Sequence, residues 1–283
     1  MGEQHVPLYT SAYAGYDVRT RIRSLTYGDD VGQSGWLTAD ELERFARSLE
    51  LDSGSRLLDV GCGAGGPALR LASTTGATVV GVDVLDEAVA TARQLADEHG
   101  LADRATFVRA DADRRLPFDD GSFDAILSVD AMCHLPERLA VLREWRRLAS
   151  PGARILFTDP TVVTGLVTAE EIASRSLIGV YVFSAAAAND ASIADAGFRL
   201  LDCDDRTENM ATVASRWHDA RESYREELVA DEGQATFDGV QQFLQTSHRL
   251  AAERRLSRYV YLATARGARA PAAPTASRGA RPS

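Results

Sequence analysis

The chain contains no lysine. All 31 of its basic residues other than histidine are arginine, and 41 Asp and Glu leave a formal net charge of −10. That balance argues against nonspecific nucleic-acid binding, which needs a basic surface. Cysteine is scarce as well: Cys62, Cys133 and Cys203 lie far apart with no C-x-x-C pair. Neither a disulfide framework nor a metal site is expected, and Cys62 reads as a packing residue. No apolar run approaches membrane-spanning length, and the N-terminus lacks the apolar core of a signal peptide. A soluble, cytoplasmic protein without a membrane partner is the expectation. There are no internal repeats, and nothing in the sequence bears on oligomeric state. What is present is enough chain, 283 residues, for one elaborated domain around a single core.

The most informative stretch is Leu57-Leu58-Asp59-Val60-Gly61-Cys62-Gly63-Ala64-Gly65-Gly66-Pro67. Its order is a buried strand, a glycine-rich turn and the start of a helix. Arg56 to Val60 is short and apolar enough for a strand buried on both faces. Gly61, Gly63 and Gly66 allow a tight turn and close approach to a ligand. Pro67 suits the first helical turn, and a helix N-terminus facing such a turn can hold a nucleotide-like molecule. The glycines satisfy G-x-G-x-x-G and an acid follows at Asp83, which is also the dinucleotide fingerprint. Asp59 argues against that reading, because a carboxylate beside the turn repels a pyrophosphate and suits an ammonium group.

Around this turn the chain alternates strand and helix. Thr38 and Glu41 form a capping box for a helix reaching Leu49. Strands follow at 78–82, 105–109, 124–129 and 153–158, with helices from Asp86 and from Glu137 to Ala149 between them. Five strand–helix repeats imply a doubly wound parallel sheet. Phe198 to Cys203 reads as a sixth strand and Arg258 to Ala265 as a seventh, with a helical insertion at about 207–255 between them. The tail from 267 is rich in Ala, Pro, Arg and Ser and reads as disordered. Residues 1–36, with Tyr9, Tyr13, Tyr16 and Tyr27, read either as an arm packed on the domain or as a lid.

The Asp-x-Gly-x-Gly turn, Asp83, Asp111, the run Leu116-Pro117-Phe118 through Asp124 and the Pro151-Gly152 turn stand in an order similar to that of class I S-adenosylmethionine-dependent methyltransferases of the small-molecule type. The resemblance covers roughly 37–160. It implies a Rossmann-like sheet of seven strands, the last antiparallel, in a domain spanning 37–266, with insertions at about 161–190 and 207–255 building the acceptor pocket. It implies S-adenosylmethionine as cofactor, held by Gln33, Asp59, Gly61, Gly63, Asp83, Val84, Asp111, Ala112 and Ser128. Asp83 would accept from the ribose hydroxyls, and Asp111 would face the adenine. Asp83 also suits a helix cap, and Asp111 a turn. His134, past the fourth strand, is expected either to remove a proton from the acceptor or, hydrogen-bonded at the strand–helix junction, to shape the pocket or touch the cofactor. Asp159 is a second candidate at the crevice edge, for binding the acceptor or as a base, and Tyr181, Met210 and Trp217 are expected either to touch the acceptor or to serve ordinary helix packing. That acceptor is expected to be a small, partly apolar metabolite with a hydroxyl or amine. Two rivals remain: an NAD-dependent oxidoreductase, and a fold of this kind repurposed for chemistry other than methyl transfer.

Overall fold

The computed structural model describes residues 16–265. Tyr9, Tyr13 and the tail from 267 lie outside them. The described elements run α1 (Tyr16–Tyr27), α2 (Ala39–Ser48), β1 (Arg56–Val60), α3 (Gly66–Thr75), β2 (Thr78–Asp83), α4 (Asp86–Glu98), β3 (Ala105–Arg109), β4 (Phe123–Ser128), α5 (Arg138–Leu148) and β5 (Ala149–Val163). They continue with α6 (Ala169–Arg175), β6 (Ser184–Ala185), α7 (Ala188–Asp195), β7 (Phe198–Asp205), α8 (Thr207–Ser223), α9 (Arg225–Glu232), α10 (Gln234–Ala252) and β8 (Leu256–Ala265).

One sheet carries all the strands, in the order β3-β2-β1-β4-β5-β8-β7, with the two-residue β6 on β5 as an eighth. The expected seven-stranded path is present. The last strand, β8, is antiparallel to both β5 and β7, and the pairs from β3 to β5 are parallel. Strand order reverses at β1, between β2 and β4, so a crevice opens at their carboxyl ends. The sheet is covered on both faces. Leu57, Val79, Leu127 and Leu156 pack with α2, α3 and α4 on one side; Leu58, Val80, Ile126 and Phe157 pack with α5 and α7 on the other. Burying each such side chain contributes about 1.5–3 kcal/mol, which explains why these strands read as continuous apolar runs.

Three refinements concern boundaries. β5 is longer than the expected 153–158 because its far end pairs with β8, Val163 opposite Leu256. The insertion at 207–255 is three helices, α8 to α10. The arm before residue 36 is partly helical: α1 buries Ile22 and Thr26, and Ile22 packs with Ala220, Leu228 and Phe237 of the insertion. The arm and the insertion therefore form one helical cap over the crevice.

Candidate active site

The glycine turn leaves β1 at the sheet's centre. Val82 carbonyl accepts from the N–H of both Gly61 and Cys62, at 2.9 and 3.1 Å, which folds the chain back sharply. Gly61 has φ of 74°, and a Cβ there would stand 2.5 Å from Cβ of Ala131, so no other residue fits without displacing the loop after β4. Gly66 has a different job from the one the sequence suggests. A Cβ on it would come within 2.3 Å of the Val31 carbonyl, so it admits the loop 31–35 rather than a ligand.

Two adjoining cavities of about 190 and 480 Å³ meet along Gly61, Gly63, Val129 and Trp217. Asp59, Gln33, Gly61 and Gly63 line the smaller one. Asp83, Val84, Asp111, Ala112, His134, Tyr181 and Trp217 line the larger. Asp59 is almost wholly buried and accepts no hydrogen bond from the described residues. Burial, with the nearby Asp83 charge, pushes its pKa up to about 7. A carboxylate so placed fits an ammonium ligand, because the pair would satisfy both charges where water does not. Asp83 is a turn-builder as well as a wall: its Oδ2 accepts from the Gly63 N–H at 2.9 Å and its Oδ1 from the Leu85 N–H at 3.0 Å. Each oxygen retains a second lone pair, so the cap reading and the ribose reading are compatible. Gln33 closes its own loop, its Oε1 accepting from Val31 N–H at 2.7 Å and its Nε2 donating to Asp29 carbonyl at 3.3 Å. Asp111 makes a local turn, accepting from Asp113 N–H and Arg114 Nε at 3.0 and 3.1 Å.

His134 ends the single 3₁₀ turn Met132–His134 after β4. Its Nδ1 lies 2.8 Å from the Val180 carbonyl. A carbonyl only accepts, so Nδ1 carries the proton and the lone pair of the neutral ring is on Nε2. Burial holds the imidazole pKa below its ordinary value against that hydrogen bond, and the Arg175 charge adds to the depression. The ring lies against Tyr181 at 4.6 Å between centroids. Tyr181, Phe243 and Trp36 continue as a row of stacked rings, 6.1 and 6.0 Å apart, and Trp217 meets Trp36 edge-on at 6.2 Å.

Three expected site residues are corrected. Asp159 is fully buried and lines neither cavity. It accepts from Arg138, Thr161, Ser184 and Asn189. Burial alone would raise its pKa, but the Arg138 charge and these bonds hold it below the usual carboxylate range. It ties α5, β6 and α7 to β5, with its oxygens turned to these partners rather than to either cavity. Met210 is fully buried among Val213, Val240 and Leu244, about two helical turns from where α8 reaches the cavity at Trp217, and it packs in the core. Ser128 is also fully buried and lines neither cavity; its Oγ has no partner among the described residues, and Val129 takes its place in the wall.

The sequence reading missed a buried charge network. Asp130 has φ of 53°, unusual for a residue with a side chain. It accepts from Trp36 N–H at 2.7 Å, from Thr158 Oγ1 at 2.6 Å and from Arg258 Nε at 2.8 Å. Arg258, fully buried, also donates to both oxygens of Glu41 at 2.9 and 3.1 Å. This network fixes the loop that brings Trp36 and Ser34 over the glycine turn. Its only signal in the sequence is Asp130 itself, an acid at the end of a central strand.

Among the described residues no group of three or more His, Cys, Asp or Glu is placed to hold a metal ion, and no described helix is long and apolar enough to cross a membrane. Residues 58–157 match the family model of a methyltransferase domain. The chain is 33% identical over 210 residues to the methyltransferase GfsG of Streptomyces halstedii, covering 68% of this chain and 74% of that one. It is 32% identical over 170 residues to the 27-O-demethylrifamycin SV methyltransferase of Amycolatopsis mediterranei, covering 57% of this chain and 62% of that one. In fold it resembles a Haemonchus contortus phosphoethanolamine N-methyltransferase solved with S-adenosyl-L-methionine. That likeness has a TM-score of 0.76 at 20% identity, over 94% of this chain and 61% of that one. With a third of its residues shared along three quarters of the Streptomyces enzyme, the chain belongs to the S-adenosylmethionine-dependent methyltransferases, and S-adenosylmethionine is its cofactor.

Proposed function

We propose that this methyltransferase acts in the cytoplasm on a hydroxyl or amine of a small, partly apolar metabolite, with His134 as general base where the acceptor is a hydroxyl. The observation that carries this reading is the imidazole itself. Its tautomer is set by Val180, its basic Nε2 belongs to a ring kept neutral by burial, and it stands in the larger cavity beside an aromatic wall. Asp59 would hold the ammonium end of the cofactor, Gln33 and Ser34 would lie near its carboxylate, Asp83 would take the ribose hydroxyls, and Asp111 would face the adenine. The cofactor supplies a methyl group activated by its sulfonium. The residues supply placement, and holding acceptor and methyl in line is worth effective molarities on the order of 10⁵–10⁸ M.

The wall of Trp36, Tyr181, Trp217 and Phe243 favours an acceptor with a sizeable apolar part. The names of the two bacterial relatives support a natural-product acceptor, and the rifamycin enzyme's name includes an oxygen position. Residues 28–36 and the helical cap would act together as a lid. The test is transfer of a labelled methyl group from S-adenosylmethionine to a panel of apolar polyols and amines, with the labelled atom located in the product. Label on oxygen or nitrogen of one compound class supports the reading. Label on carbon alone, or cofactor binding with no transfer to any compound, overturns it.

A further inference from the structure

α6 ends in Arg175, whose side chain is fully buried. Nε, Nη1 and Nη2 all lack a hydrogen-bond partner among the described residues. Guanidinium stays charged at any physiological pH, and buried cations are ordinarily paired. The other buried arginines around the crevice obey that rule: Arg258 has Asp130 and Glu41, Arg138 has Asp159, and Arg221 has Glu232. What Arg175 has instead is ring faces. Its guanidinium carbon lies 4.5 Å from the centroids of Tyr181 and Phe243 and 5.7 Å from Trp36. Those are the three near-parallel rings that line the larger cavity, whereas Arg175 stays behind them.

An aromatic wall facing a cavity usually attracts cations, because ring faces are electron-rich. Here a buried cation without a counter-ion already engages those faces, and charges are screened less in a protein interior than in water. We propose that Arg175 sets the chemical class of the methyl acceptor: its unpaired charge makes this lobe take an oxygen nucleophile and refuse a protonated amine. This rests on the reading of His134 as the group facing the acceptor, and it narrows the choice between hydroxyl and amine. In the transfer, the acceptor's O–H proton passes to His134 Nε2. The oxygen's electron pair forms the new C–O bond, and the electrons of the broken C–S bond stay on the departing sulfur. Arg175 favours negative charge growing on the oxygen, and before the reaction it helps keep His134 unprotonated. The other charges acting on that imidazole are the carboxylates of Asp130 and Asp83, which pull its pKa up. Arg19 and Arg221 also line the cavity, with Asp231 and Glu232 against them, and so do Asp111 and Asp113.

The test uses His134 as a field probe, titrated by NMR in the full-length protein and assigned through His134→Gln. Wild type should titrate below about 6.5. Arg175→Met should raise the His134 pKa by roughly one pH unit, and Arg175→Lys, which restores the charge, should bring it back. A second measurement reads specificity by calorimetry, with the protein saturated by S-adenosylhomocysteine. Wild type should bind 4-nitrophenolate at least about tenfold more tightly than benzylammonium, and Arg175→Met should close that gap. An unmoved His134 pKa in Arg175→Met, or a wild type that prefers benzylammonium, overturns the proposal. If Arg175→Met does not fold, a wild-type His134 titrating above the ordinary imidazole value overturns it alone. Should His134→Ala leave turnover intact while the titration still follows Arg175, the base has been misassigned and the field has not.

Discussion

The two lobes of the crevice are made of different material. Around the cofactor lobe the glycine turn brings main chain to the wall, with its N–H groups on Val82 and Asp83, beside Asp59 and side chains of the arm and the cap. The larger cavity shares the glycine turn and takes in the ends of β2 and β3, but its aromatic side is drawn from the arm, the segment after α6 and two helices of the cap, with a buried guanidinium behind it. Among the described residues, Asp59 in the first accepts no hydrogen bond, and Arg175 behind the second donates none. The ammonium end of the cofactor would suit Asp59, and an acceptor oxygen that gains negative charge would suit Arg175. The contrast also separates what must stay fixed, the cofactor's frame, from what tailors the enzyme to its acceptor.

The sharpest break in the comparison comes from His134. Replacing it by Ala should lower kcat by roughly 10²–10⁴-fold while cofactor affinity hardly moves. Single-turnover pH–rate profiles check this: wild type should gain rate as pH rises through the imidazole pKa, since only the neutral ring accepts a proton, and the variant should lose that limb. A variant in which kcat and cofactor affinity fall together by a few-fold would make His134 a wall residue.

Next in size is Asp83. Its carboxylate organises the turn through Gly63 and Leu85, and each charge-assisted bond lost costs about 1.5–3 kcal/mol. Asp83→Ala should therefore weaken S-adenosylmethionine by well over about tenfold and lower Tm as well. A merely local ribose contact would leave Tm unchanged, so calorimetry and thermal melting together separate the two roles.

Asp59 offers a pH test of the cofactor lobe. Burial puts its pKa at about 7 in the free protein, so below that pH the group is mostly neutral. An ammonium partner binds the ionised form, so binding below pH 7 must release a proton, and affinity should climb by up to about tenfold per pH unit as pH rises towards 7. Above about pH 8 the ligand's own amine loses its charge and affinity should fall again. Calorimetry in buffers of different ionisation enthalpy reads the released proton directly, and in Asp59→Asn the release should vanish. The same group makes the ligand-free fold lose stability as pH rises from its unfolded pKa near 4 towards 7, because the folded form holds the proton more tightly.

The two lobes were also unequally legible in the sequence. Asp59, Gly61, Gly63 and Asp83 fall within one strand–turn–helix–strand unit, so local spacing reveals them. The acceptor lobe depends on partners distant in the chain: Trp36 with Asp130, 94 residues apart, and Arg258 with Glu41, 217 apart. No periodicity encodes such pairs. Trp217 and Met210 show the limit plainly. Both are large apolar residues on α8, yet Trp217 faces the cavity and Met210 faces the core, because the packing of α10, α1 and β8 decides which side of the helix is inside. Asp159 misled for a related reason. The end of a central strand is where ligands bind in such sheets, but this acid is spent on Arg138, Ser184 and Asn189, which arrive from later in the fold or from the helix before it.

The smallest expected effect lies at Ser128, and it sharpens the boundary between wall and core. The position precedes Val129, which lines both cavities, but Ser128 itself is fully buried with an unpartnered hydroxyl. A buried polar group without a partner costs about 1–3 kcal/mol in desolvation, whereas the hydroxyl oxygen fills little space. Ser128→Ala removes that cost and opens only a small void, so stability should stay level or rise by up to about 1 kcal/mol. Cofactor affinity should be unchanged, because the side chain does not reach the lobe. Denaturant unfolding and calorimetry on the one variant test both halves. A loss of cofactor affinity without loss of stability would put Ser128 in the wall of the cofactor lobe and extend that lobe one residue down β4.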